Sequence, residues 1–187
     1  MRLTMYTDYT LRVMMYLAVK HRDGGSATIE EMAKAYDISR SHLMKIVNEL
    51  AQTGFIESTR GRAGGSRLAR PPNEISIGAL VRMAEKDFAI VACHDPSTPH
   101  NCVIFQACNL KRGLARAMDA FMLELDRMTL ADAVGAPTVA ASLLGVGATP
   151  PIVATVALPV KGSGRKPSGT LRRAHSSTPV TKASRQK

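Results

Sequence analysis

Between Thr28 and Gly54 the sequence holds two helical stretches with room for only a tight turn between them. This constrains the fold more than any other feature. Thr28-Ile-Glu-Glu31 puts a hydroxyl at a helix N-cap with a glutamate three positions on. In such a capping box each side chain satisfies the other residue's free backbone N–H. Ile29, Met32, Ala33 and Tyr36 give this short helix its inner face. Asp37 and Ile38 make a turn, and Ser39 offers a second N-cap. Arg40–Thr53 then reads as a helix with Leu43, Ile46, Val47 and Leu50 inward. Gly54 suits the left-handed residue that ends it. Two short helices joined this way make a helix-turn-helix, here over about residues 28–51.

The second helix shows a polar outer face of Arg40, Ser41, His42, Lys45 and Asn48. These side chains can donate to phosphates and base edges, as a recognition helix must. A solvated face on a plain helical bundle would look the same. The next segment separates the two readings. Phe55–Thr59 alternates like a strand, Arg60-Gly-Arg-Ala-Gly-Gly65 forms a cationic glycine-rich turn, and Ser66–Ala69 returns before Pro71-Pro72. A hairpin directly after a recognition helix is a wing, spanning about residues 55–70. Its glycines, Gly64 and Gly65 among them, let backbone approach a groove, and Arg60, Arg62 and Arg67 suit phosphate or a narrow minor groove. The DNA-contact candidates are therefore Thr28, Ser39, Arg40, Ser41, His42 and Lys45, with Arg60, Arg62, Gly64, Gly65 and Arg67 on the wing.

Helical periodicity also marks Thr7–Lys20 and Ala79–Lys86. From Ala107 to Met128 the apolar residues Leu110, Leu114, Met118, Phe121, Leu125 and Met128 recur close to a heptad seam. An amphipathic helix of this length needs a partner surface, and two-fold DNA readers use two half-sites, so a homodimer is expected. The fold class is mainly α: a winged helix-turn-helix domain with a long C-terminal dimerisation helix.

The chain carries 25 Lys+Arg against 15 Asp+Glu, a net charge of +10 that favours a polyanionic partner. All 15 acids but only 17 of the basic residues fall in 1–134. The other eight lie in 135–187, which is Ala-, Pro- and Ser-rich and without an acid. That composition predicts a largely disordered basic tail, attracting nucleic acid without sequence preference. No long uncharged apolar stretch reads as a membrane span, nor does the start of the chain read as a signal peptide. A cytoplasmic protein without a membrane partner is expected. No P-loop, dinucleotide-binding glycine pattern or nucleophile–base pattern is present, so an enzyme is not expected.

Cys93, Cys102 and Cys108 are the only cysteines and fall in one polar, Pro-broken segment. Three thiolates suit a soft metal or an iron–sulfur cluster, with a fourth ligand from elsewhere. Buried small hydrophobes, a redox disulfide with a spare thiol, or zinc are the competing readings. The spacing matches neither common zinc pairs nor C-x-x-C redox motifs.

Several of these segments carry a resemblance. They are the start Met1-Arg-Leu-Thr with Thr7-Asp8-Tyr9 and Leu11-Arg12, then Ser39–Ile46, and Gly61–Gly65 with Arg67–Pro71. Ala107–Lys111 and Phe121–Asp126 with Thr129–Asp132 complete the set. Together they resemble the Rrf2 family of winged-helix regulators over roughly 1–134, and within it the nitric-oxide-sensing repressors. The resemblance implies a dimeric cytosolic repressor that binds double-stranded operator DNA. It implies an iron–sulfur cluster, [4Fe-4S] or [2Fe-2S], on Cys93, Cys102 and Cys108. Asp8 from the partner subunit stands where such repressors place a fourth ligand. The family's cluster-biogenesis regulators use a histidine three residues after the last cysteine, where this chain has Lys111. An iron-status or redox-responsive regulator using the same cysteines is the alternative. The gap of eight residues between Cys93 and Cys102 is longer than the resemblance leads one to expect.

Overall fold

The computed structural model describes residues 2–22, 24–59, 61, 64–97 and 102–147. Helix α1 (Met5–His21) is the hub. Thr4 caps it, its side chain accepting from Thr7 N–H. Thr7, Thr10, Val13, Met14, Tyr16, Leu17, Ala18 and Val19 are all buried, because other elements cover the helix on nearly every side. Helix α2 (Ile29–Tyr36) starts with the capping box expected at Thr28 and Glu31. It ends at Asp37, whose φ of 52° is the left-handed conformation that aspartate tolerates among non-glycine residues. Helix α3 (Arg40–Gln52) buries Leu43, Ile46, Val47 and Leu50 against α1 and α2. Gly54, at φ 74°, ends it as expected. Ser39 holds the N-cap position but its side chain makes no cap bond to the helix.

Strands β1 (Ile56–Thr59) and β2 (Gly65–Leu68) pair antiparallel, Ile56 opposite Leu68 and Thr59 opposite Gly65. Ala27 adds a bridge to Ser66, with N···O distances of 2.9 and 2.7 Å. This fastens the hairpin to the residue just before the α2 cap. The backbone around Ser26 and Ala27 also explains Gly65. A Cβ there would lie 2.9 Å from Ser26 Oγ and 3.1 Å from Ala27 O. Packing inside the protein thus gives Gly65 a reason of its own, independent of any approach to DNA.

Helix α4 (Ile77–Ala84) begins two residues before the expected Ala79, because Ser76 caps it through a bond from Ala79 N–H. A one-turn 3-10 helix (Pro72–Glu74) precedes it. Helix α5 (Asn109–Arg127) packs on α4. Ile77 N–H bonds Met128 O at 2.9 Å and Leu130 N–H bonds Ile75 O at 2.8 Å, clamping the two helix ends together. Gly78 allows the close crossing: a Cβ there would meet the backbone N of Asp126 at 2.9 Å. The expected seam along α5 is split. Met118, Phe121 and Leu125, with buried Met122, pack on the domain's own core. Leu110 is 70% exposed and Met128 38%. A heptad reading of one chain cannot tell its own core from a partner's.

Helix α6 (Leu130–Val134) opens with a second capping box, Thr129 with Asp132. Order continues past the expected boundary at 135. Helix α7 (Pro137–Leu143) lies on α1, and Val146 is buried. Proline at the first helical position costs no hydrogen bond, and the alanines that follow are strong helix formers. The prediction of a tail starting at residue 135 is therefore corrected for 135–147; the remainder to 187 lies outside the described residues.

Candidate nucleic-acid interface and cysteine site

Ser41, Met44, Lys45 and Asn48 recur at helical spacing along the solvent side of α3, and all four are exposed. Arg40 and His42 flank this face at its first turn. Met44 was not singled out in the sequence. It is 56% exposed, an uncovered apolar side chain in an otherwise polar face. Apolar exposure on a recognition helix suits the methyl group of thymine in the major groove. His42 stacks on Tyr9 of α1, ring centroids 6.1 Å apart, which fixes the imidazole at the edge of the face.

Two of the expected DNA-contact cations are already paired. Arg40 Nη1 lies 2.8 Å from Glu30 Oε2, joining the start of α3 to α2. Arg67 donates from Nε and Nη2 to Glu57 Oε2 at 2.9 and 2.7 Å across the hairpin. Both pairs are exposed, so each contributes little and can exchange its carboxylate for a phosphate. Thr28 spends its hydroxyl on the capping box, with Glu31 N–H donating to it at 3.2 Å. Between α2, α3 and the wing runs a groove of about 290 Å³, lined by Thr28, Glu30, Arg40, Ser58, Gly61 and Gly64 among others. At the wing tip Gly61 has φ 116°, a conformation open to glycine, and Gly64 N–H bonds Gly61 O at 2.9 Å. Arg60 and Arg62 lie outside the described residues.

The cysteines sit on short turns rather than on regular elements. Cys93 is in a one-turn 3-10 helix (Ala92–His94) packed against α5. Cys108 is the N-cap of α5, and Lys111 N–H donates to its Sγ at 3.4 Å. His94 Nε2 lies 3.0 Å from Lys111 O, so the Cys93 turn is tied to the first turn of α5 that Cys108 caps. Cys102 is exposed, ahead of a second 3-10 turn (Phe105–Ala107). All three are free thiols. Among the described residues no three His, Cys, Asp or Glu side chains are gathered tightly enough to hold a metal ion. The donor set nevertheless fits iron–sulfur chemistry: three accessible thiols, with the positive end of a helix at one of them. Asp8 lies elsewhere, on α1, and pairs with Arg12 Nε at 3.0 Å. Arg12 in turn sits over the Tyr36 ring, 5.9 Å from its centroid.

The Rrf2 family model, described as an iron-dependent transcriptional regulator, matches residues 3–136. The chain belongs to the Rrf2 family. Its curated relatives include the HTH-type transcriptional regulator NsrR of Bacillus subtilis (strain 168), 46% identical over 134 residues, covering 72% of this chain and 90% of that one. NsrR of Oceanobacillus iheyensis is 41% identical over 146 residues, 78% of this chain and 98% of that one. Among solved structures, CymR (YrzC), titled the global cysteine regulator of B. subtilis, aligns with a TM-score of 0.59 at 27% identity, over 72% of this chain and 97% of that chain. This Rrf2 chain is a transcriptional regulator with a mainly helical, winged-helix fold. No described helix is long and apolar enough to cross a membrane.

Proposed function

We propose that this Rrf2 protein is a homodimeric repressor whose affinity for operator DNA is set by an iron–sulfur cluster responsive to nitric oxide. The supporting observation is the likeness to NsrR across the cysteine-bearing domain, in a chain where His94 ties the Cys93 turn to the first turn of α5, the helix that Cys108 caps. Cys93, Cys102 and Cys108 would hold the cluster, with Asp8 of the partner subunit as the fourth ligand. When bound, the cluster supplies iron that nitric oxide can ligate. The His94–Lys111 bond holds the Cys93 turn against α5, and the Lys111 N–H steadies the Cys108 sulfur as a thiolate ligand. Ser41, Met44, Lys45 and Asn48 would enter the major groove while Arg67 and the wing follow the backbone. The exposed Leu110 on α5 offers apolar surface to a second copy.

The test is anaerobic purification with iron and sulfide counts, then operator retention before and after nitric oxide. A brown protein that loses both its colour and its operator supports the reading; a colourless protein with unchanged retention refutes it. The family model's description favours a second reading, an iron-status regulator using the same cysteines. That reading requires iron chelation, rather than nitric oxide, to control retention. A Cys108→Ser variant that keeps a full cluster would refute the ligand assignment in both.

A further inference from the structure

Glu85 is the one buried charged side chain among the described residues, 8% exposed. It stands at the C-terminal end of α4. Its Oε2 accepts from Thr4 N–H and Thr4 Oγ1 at 3.1 Å each, and from the Thr7 hydroxyl. The carboxylate therefore holds the N-terminal turn of α1, where the helix dipole favours negative charge. The chain leaves Glu85 through Asp87–Ile90, which lines a cavity of about 110 Å³ with Arg2, Leu3 and Met118, and continues to Cys93. From the same turn of α1, the Tyr6 hydroxyl donates to Glu49 Oε2 on α3. Burial, then the bond and the negative charge of Glu49, push the Tyr6 phenol upward, so it stays a donor at any working pH. Glu49 neighbours Asn48 and lies one helical turn from Lys45, both on the DNA-facing side. A groove of about 640 Å³ separates α3 from the end of α4, with Tyr6, Lys45 and Glu85 on its walls. At that groove the polar bonds of α1 reach both sides, beside the apolar core that α1 shares with α3 and α4.

We propose that Tyr6 and Glu85 are positioning residues which, through the first turn of α1, make the placement of the recognition helix depend on the placement of the cysteine-bearing segment. The proposal rests on the reading of the cysteines as the signal site. A shift at the end of α4 moves the carboxylate that anchors Thr4 and Thr7. The same turn then carries Tyr6, and with it Glu49 and the reading face of α3. Coupling between two sites needs a physical element that both bias, and this turn is bonded to each side.

The link is tested first without metal, in the full-length chain freed of iron. Hydrogen exchange of the 40–52 amides is followed in Tyr6→Phe, Glu85→Gln and the double variant. Each single change is expected to speed exchange about threefold to tenfold, the effect of one lost hydrogen bond. The double variant is expected to be no faster than the faster single. Multiplied effects in the double variant, or an α3 indifferent to Glu85→Gln, overturn the proposal. Should Glu85→Gln fail to fold, Thr7→Val removes one donor to the carboxylate and takes its place. Glu49→Gln keeps an acceptor for Tyr6 and is expected to exchange like the wild type, whereas Glu49→Ala is not; equal behaviour of the two overturns the link. In cluster-loaded protein, the ratio of operator Kd after and before nitric oxide is the second readout. Tyr6→Phe is expected to bring it at least about fivefold closer to one at unchanged iron and sulfide. An unchanged ratio overturns the proposal. A wild type without iron, or with a ratio of one, refutes the reading of the cysteines instead, and the exchange data still decide the link.

Discussion

Gly78→Ala sets two effects of opposite sign against each other. Helix propensity alone says the change should stabilise α4, by at most about 1 kcal/mol, the interior value, since Gly78 lies in the first turn. The crossing with α5 says otherwise. The added Cβ collides with Asp126 Oδ1 and comes within 2.9 Å of Asp126 Cγ and backbone N. The carboxylate can swing away, at the loss of its bidentate pairing with Arg82. The backbone nitrogen cannot, so the two helices must separate by about 0.5 Å before ordinary contact begins at 3.4 Å. A gap of that size already forfeits roughly a quarter of each facing contact along the crossing. Overpacking of this kind costs about 1–3 kcal/mol. The expected net is a loss of up to about 2 kcal/mol, read as a melting temperature lower by up to about 8 °C in a domain of this length. Gly113→Ala is the internal control, because a Cβ at that position of α5 meets nothing within 4 Å. It should raise the melting temperature by about 2–4 °C. Thermal melts by circular dichroism on metal-free protein settle the matter. A Gly78→Ala protein as stable as Gly113→Ala would refute the reasoning from the close crossing.

Three further outcomes are expected. Arg67→Ala should weaken binding to operator and random DNA alike and reduce the salt slope of log K by about one per lost phosphate contact, measured by fluorescence anisotropy across a salt series; a sequence-selective loss would contradict a phosphate role. Met44→Ala should lose operator preference, and replacing single thymines with deoxyuridine should cost the wild type affinity at a position where Met44→Ala loses nothing more. Glu31 is lowered from its ordinary 4.5: burial raises it, but the bonds from Thr28 and Lys20 outweigh burial. Its contribution is therefore complete above about pH 4.5, the unfolded value, and disappears as pH falls through the lower folded value. Melting temperatures taken from pH 6 to pH 3 should fall less steeply for Glu31→Gln than for the wild type.

What could be read in the sequence was local. The Thr28–Glu31 capping box, the turn at Asp37 and the stop at Gly54 follow from neighbours a few residues apart, and each formed as expected. The hairpin was equally legible from its glycines and alternation. Long-range partners were not. Gly65 reads as a turn residue until Ser26 and Ala27 are known to lie against it. Nothing local in the sequence marks Glu85 or Glu49, yet one anchors α1 and the other takes the Tyr6 hydroxyl. The α5 seam was visible as a pattern, but a pattern cannot say which chain it faces. Residues 137–147 read as tail from the Ala-, Pro- and Ser-rich, acid-free composition of 135–187, although α7 extends the fold over α1. The cysteines were found by clustering alone, and their tie through His94 and Lys111 needed coordinates.

The bridge between Ala27 and Ser66 has a practical consequence. Because it precedes the cap of α2 directly, it fastens the hairpin to the start of the helix-turn-helix, so the two can be moved together as one cassette. Grafted onto the α1 and α5 of another Rrf2 protein, this cassette should carry its half-site preference with it.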